Sequence, residues 1–256
     1  MSVDACAELV RRGDPDRHAA TLAAPPEARA RLWPLYAFNL EIARAPYVTQ
    51  EPLIAEMRLQ FWADTVAEAA TGATPRAHEV ATPLAALIRD HALPPAAFEG
   101  MIAARRRDIT RAPFDDTAAL LAHVDATAGA LMELAARSLG AGEGTLPVVS
   151  EFARGAGLAN WLMAVPALEA AGQPPLPSGV GADVLAQTGL VHLRSARAHR
   201  AKVPRAALSA LLTGWQAKAV LTRAVRDPAA VAEGRLAPSE FRRRGGLLLR
   251  AVLGRW

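Results

Sequence analysis

The stretch LYAFNLEIARAPYV, Leu35 to Val48, places two aromatics, Tyr36 and Phe38, ahead of an amide and an acid, Asn39 and Glu41. Two carboxylates one helical turn apart would let such a helix hold a hard divalent cation. Here Glu41 is the only acid between Asn39 and Val48, so the pair is missing. His192 and His199 are seven apart and could share a helix face, but no suitably spaced carboxylate or third histidine joins them. No metal site is expected there. Arg105, Arg106 and Arg107 lie on an expected helix with Asp108 beside them. Successive residues point about 100° apart, so they splay into a solvated face rather than a phosphate or nucleic-acid patch. There is no GxSxG, HExxH, CxxC or GxxxxGK, which removes the commonest nucleophile, metal and phosphate-loop chemistries. The segment FRRRGGLLLRAVLGRW flanks leucines with arginines. It reads as a last helix, interrupted at Gly245 and Gly246, that docks its leucines on the core and leaves its arginines wet. The alternative is peripheral contact of residues 242–256 with an anionic bilayer.

The composition shows what must position these residues. Hydrophobic residues are 52% of the 256 and aromatics only 5%, so aliphatic side chains and alanine build the core. Strand-favouring residues are thin and helix formers abundant. Net charge is +4, with only Lys202 and Lys218 as lysines. That balance permits anionic partners without requiring them. One cysteine, Cys6, cannot form an internal disulfide, and a cytoplasmic protein without a signal peptide or spanning helix is expected.

Proline, glycine and capping residues divide the chain into helix-length pieces with no alternating strand pattern. Asp14 caps a segment through Ala23, and Pro26 opens a helix that Pro46 ends. The segment from Glu51 to Ala70 is amphipathic, with Ile54, Met57, Phe61, Thr65 and Val66 expected inward. A helix, an LPP turn and another helix follow, then a helix from an Asp115 or Asp116 cap to Gly140. Val148 to Ala171 is apolar nearly all round and reads as the central helix; GQPPLPSGVG is the clearest loop. Three more helices are expected near 182–201, 204–225 and 238–253. The whole, 1–256, reads as one all-α domain.

Several of these stretches resemble, in order and spacing, the squalene/phytoene synthase superfamily of head-to-head prenyltransferases. They are DRHAATLAAPPEARARLWPLYAFNLEIA, PLIAEMRLQFWADTV, the LPPAAF segment with Pro94, Phe98 and Asp108, the ATAG turn, and GLANWLMAVPALEAAGQPPLP. The resemblance implies an isoprenoid-synthase-like helical bundle with a central cleft. It also implies two DxxxD motifs that hold diphosphate through magnesium. Those aspartates fall on Ala43 and Tyr47, with Arg44 adjacent, and on Ala164 and Leu168. The expected arginines fall on Leu40 and Met163, and an expected tyrosine on His123, while Asn160 matches. A slip of one or two residues rescues neither motif, because Glu169 is the only acid between Arg154 and Asp183.

LYAFNLEIA followed by RLQFW is closer to a branch of the superfamily that lost these aspartates. That branch includes the mitochondrial assembly factor for respiratory complex I and α-proteobacterial relatives. The resemblance therefore implies a non-catalytic protein with no cofactor and no bound metal, whose partner is a protein such as a respiratory-complex subunit. A cleft lined by Tyr36, Asn39, Leu40, Ala43, His123, Asn160, Met163 and Ala164 would suit an isoprenoid tail or a quinone. The competing reading is a divergent magnesium-dependent prenyltransferase that recruits Asp64, Asp90 or Asp108. The expected location is the cytoplasm, or the inner face of the cytoplasmic membrane.

Overall fold

Prolines and acidic caps open most helices, as the sequence requires. In the computed structural model, which describes residues 3–74 and 76–256, the chain is helical, and no strand occurs among those residues. The short α1 (Val3–Gly13) and α2 (Pro15–Leu22) come first, and the Asp14 carboxylate accepts from the Arg17 N–H at the start of α2. Next, α3 (Pro26–Arg44) buries Leu32 through Phe38 on all sides and makes the middle of the bundle. α4 (Pro52–Thr71), α5 (Ala81–Asp90) and α6 (Pro95–Thr110) pack beside it. Phe38 sits edge-on to Trp62 of α4 and Phe98 of α6, both at 5.5 Å.

Two features of this half differ from the sequence reading. Ile54 and Met57, expected inward, are 46% and 64% exposed, while Leu59 and Trp62 are buried with Thr65 and Val66. Both faces of α4 carry large apolar residues, so periodicity alone cannot choose between them. Leu59, Trp62 and Val66 take the core side, and Arg106 of α6 bonds Glu56 and Gln60 at 2.6 Å each. The ATAG segment lies, as expected, inside a helix, in a π-helical stretch, Asp125–Gly129, that joins α7 (Thr117–Val124) to α8 (Ala130–Ser138) without a break. That helix, Thr117–Ser138, is apolar and long enough to cross a bilayer, contrary to expectation. Half of its apolar window is buried, and it packs on α3, α6 and α9 as a core helix.

α9 (Leu146–Ala170) is the expected central helix and packs most extensively on α10 (Ala182–Ala198). Gly155 makes that approach close: a methyl built there would lie 2.8 Å from the Gly189 carbonyl oxygen and 2.7 Å from Leu193. The single helix expected over 204–225 is broken into α11 (Leu208–Leu212) and α12 (Ala217–Arg226). The break falls at Gly214, where a side chain would meet the Phe152 ring at 2.7 Å. Backbone and core come together there too closely for a continuous helix with side chains.

The short α13 (Ala229–Ala232) leads to α14 (Glu240–Leu253), which runs through Gly245 and Gly246 without interruption. Its leucines do not dock as expected. No residue of α14 is buried; Phe241 and Val252 are 87% and 75% exposed, and Leu248, Leu249 and Leu253 also face out. Only Leu247 and Ala251 pack, against Ala20, Leu212 and Trp215. One apolar core otherwise runs from Cys6 to Trp256.

Candidate functional site

The two helices that carry the degenerate motif positions close toward each other at their carboxyl ends. Tyr47, just past α3, donates its hydroxyl hydrogen bond to Oε1 of Gln173, just past α9. Gln173 is buried and Tyr47 half-buried. Burial, with the Asp108 carboxylate nearby, pushes the Tyr47 hydroxyl up to about 12, against the opposing influence of Arg105 and Arg111. A neutral tyrosine thus clasps the two helix ends, at the position where the sequence resemblance places a motif aspartate.

The rest of the motif positions are poor in oxygen ligands. Ala43, Ala164 and Leu168 are half-buried and Arg44 is exposed. Leu40 lies in the core and Met163 packs against it. Asp64 is on the surface with Arg76 and Gln60, at 3.0 and 2.7 Å. Asp90 is exposed at the end of α5. Asp108 is buried and pairs with Arg105 at 3.0 Å. No three histidines, cysteines or acids among the described residues come together in a way that could hold a metal ion. This donor set does not fit magnesium, which needs several oxygens in near-octahedral array.

A small hollow borders part of the expected cleft. Between α3, α8, α9 and the break after α11 lies a hollow of about 20 Å³, enough for about one water molecule. Of the eight residues expected to line a cleft, Tyr36 and Asn160 border this hollow; Asn39, Leu40, Ala43, His123, Met163 and Ala164 do not. Arg17 lies over the Tyr36 ring at 5.1 Å, and burial raises the Tyr36 hydroxyl well above its ordinary range.

His123 is packed away from the hollow among Phe114 and Trp161, whose rings lie 5.4 and 5.3 Å from it. Trp161 is fixed by donating to the Pro175 carbonyl at 2.7 Å. His123 Nε2 stands 3.7 Å from Asp108 Oδ1, too far for a hydrogen bond. Burial lowers its imidazole to about 4 despite the Asp108 charge, and Arg105 and Arg107 push the same way as burial. Neither ring nitrogen, nor Gln173 Nε2, has a partner among the described residues. The three arginines splay as expected: Arg105 to Asp108, Arg106 to α4, and Arg107 over the Phe114 ring at 3.8 Å. His192 bonds Glu151 at 3.1 Å, and His199 faces solvent.

Sequence reasoning missed the partner of Tyr47. Gln173 is the second residue of the loop, and nothing in its neighbourhood along the chain marks it as buried. It also missed the role of Arg17, the second residue of the family-like stretch DRHAATLAAPPE. The cation–π contact arises only when α2 crosses α3.

An all-α bundle with two facing helices and a residual hollow between them defines the isoprenoid-synthase type of fold. The squalene/phytoene synthase pattern matches residues 10–232, and the chain belongs to that family. Its structure is similar to a dehydrosqualene synthase crystallised with ligand, at TM-score 0.85 and 13% identity, covering 98% of this chain and 95% of that one. It is also similar to squalene synthase HpnC from Alicyclobacillus acidocaldarius, at TM-score 0.75 and 17% identity, covering 89% and 94%. Sequence similarity falls elsewhere. The chain is 39% identical over 61 residues to complex I assembly factor 6 of Homo sapiens, and 42% over 62 residues to its Drosophila melanogaster homologue. Each match covers 24% of this chain and only 18% and 19% of those relatives.

Proposed function

We propose that this chain is a catalytically degenerate family member that binds a protein partner during assembly of a respiratory NADH dehydrogenase. The observation that carries the reading is the state of the two motif helices. Ala43, Tyr47, Ala164 and Leu168 stand where the family resemblance places paired carboxylates, and no three acids, histidines or cysteines among the described residues come together to hold a metal ion. Head-to-head prenyl transfer needs a metal-held diphosphate and an apolar chamber long enough for two prenyl chains. The similarity to complex I assembly factor 6 supports the direction of the assignment. The proposed place of action is the cytoplasm, at the inner face of the membrane that holds the complex.

Two measurements test this together. Purified protein with farnesyl or geranylgeranyl diphosphate and magnesium is expected to release no diphosphate and yield no extractable product. Removing the protein from its native host is expected to lower assembled NADH dehydrogenase on native gels while leaving prenyl products unchanged. Diphosphate release above the no-protein control would sink the reading.

A further inference from the structure

The outward apolar face of α14 is the largest departure from the sequence reading. At about 100° per residue, Phe241, Leu248, Val252, Leu249 and Leu253 fall within one arc of roughly 140°, with Gly245 and Arg242 between them. All five face solvent. The opposite side carries Leu247, Ala251 and Arg243 and holds the helix to the body; Arg243 pairs with Asp16, and its carbonyl accepts from Trp215 Nε1 at 3.3 Å. The helix is amphipathic in the reverse sense to a docked one.

Beside this strip lies a groove of about 1150 Å³, bordered by α10, the turns after it, α12 and α14. Six cations line it: Arg197, Arg200, Arg205, Lys218, Arg250 and Arg255. No acidic residue lines it, and none of the six forms an ion pair among the described residues. The acids near α14 are engaged elsewhere, Glu240 with Arg243 and Arg244, and Asp16 with Arg243. Burial lowers Arg197 and Arg250, and the charge of Arg250 lowers Arg197 further. These are half-buried, mutually repelling charges, a costly arrangement without an anion to answer them.

We propose that α14 and this groove form a docking surface for an anionic phospholipid bilayer, the six cations meeting lipid phosphates while the outward side chains enter the acyl boundary. The pairing of an uncompensated cationic groove with an adjoining exposed apolar arc fits an interface that is charged at headgroup depth and apolar below it. A nucleic acid or a free phosphate would use the cations and leave the leucines in water. The inference stands independently of the proposed assembly role, since a membrane surface would serve an active synthase as well.

The test is flotation of the full chain with vesicles of phosphatidylcholine alone and of phosphatidylcholine mixed with phosphatidylglycerol. Binding is expected to the mixed vesicles only and to weaken with added salt. Neutralising Arg200, Arg205 and Lys218 to glutamine is expected to weaken partition about fivefold for each charge removed. L248S/V252S is expected to weaken it by about tenfold or more, with circular dichroism and melting unchanged because both side chains are exposed. Equal binding to both vesicle types, or binding indifferent to either variant, overturns the proposal. So does calorimetric binding of inorganic phosphate or of an RNA duplex without flotation. Dissociation of a dimer by L248S/V252S, with flotation unchanged, would assign the strip to a second copy and overturn it too.

Discussion

His123 shows how one residue's environment overrides its usual chemistry. Ringed by Phe114 and Trp161 and 3.7 Å from Asp108, it is held neutral, its imidazole lowered from 6.5 to about 4. The unfolded chain therefore binds a proton on this residue before the folded one does. The stability that His123 contributes is fully present above about pH 6.5 and is lost progressively as pH falls toward about 4. Urea midpoints measured across that window are expected to fall with pH, and H123Q is expected to flatten that slope. An NMR titration that finds His123 charged at pH 6 would contradict the burial argument. At Tyr47 the expectation is different in kind. Y47F leaves the buried Gln173 carbonyl oxygen without its donor and is expected to destabilise by about 1–3 kcal/mol, read from denaturant midpoints.

At the scale of elements, packing chooses between faces that sequence periodicity leaves equivalent. The amino-terminal half of α4 turns Met57 outward and buries Ala55 and Leu59 instead. M57D is accordingly expected to change stability by no more than about 0.5 kcal/mol. If Met57 were part of the core, the same change would unfold the protein or shift its melting by many degrees. The α9–α10 contact is the contrary case. G155A introduces a methyl 2.8 Å from a backbone oxygen that cannot rotate away, and is expected to cost about 1–3 kcal/mol. For the motif helices, A43D/Y47D/A164D/L168D is expected to yield no magnesium-dependent diphosphate release, since Leu40 and Met163 still stand where the family resemblance expects arginines.

For the molecule as a whole, one apolar cluster reaches from Cys6 to Trp256. Far-ultraviolet circular dichroism and tryptophan fluorescence are therefore expected to report coincident urea transitions. Two separated transitions would show that the α9–α13 region folds apart from α1–α6. The only elements weakly tied to this cluster are at the surface, and α14 is the clearest, held by Leu247, Ala251 and Arg243 on a small satellite cluster.

What the sequence determined by itself is whatever depends on neighbours along the chain. The Asp14 cap, the opening of α3 at Pro26, the LPP turn before α6 and the apolar length of α9 could all be read from it, because caps, prolines and apolar length act locally. So could the scarcity of acids in both helices, Glu41 alone between Asn39 and Val48 and Glu169 alone between Arg154 and Asp183, because composition needs no fold to count. Tertiary structure alone decided the rest. The break at Gly214 depends on Phe152 arriving from another helix, and the clasp between Tyr47 and Gln173 joins residues far apart in the chain. The direction in which α14 turns its leucines depends on which small surface is available to receive it. In each case the deciding energy lies in a contact between distant segments, and a contact of that kind leaves no periodic trace in either one.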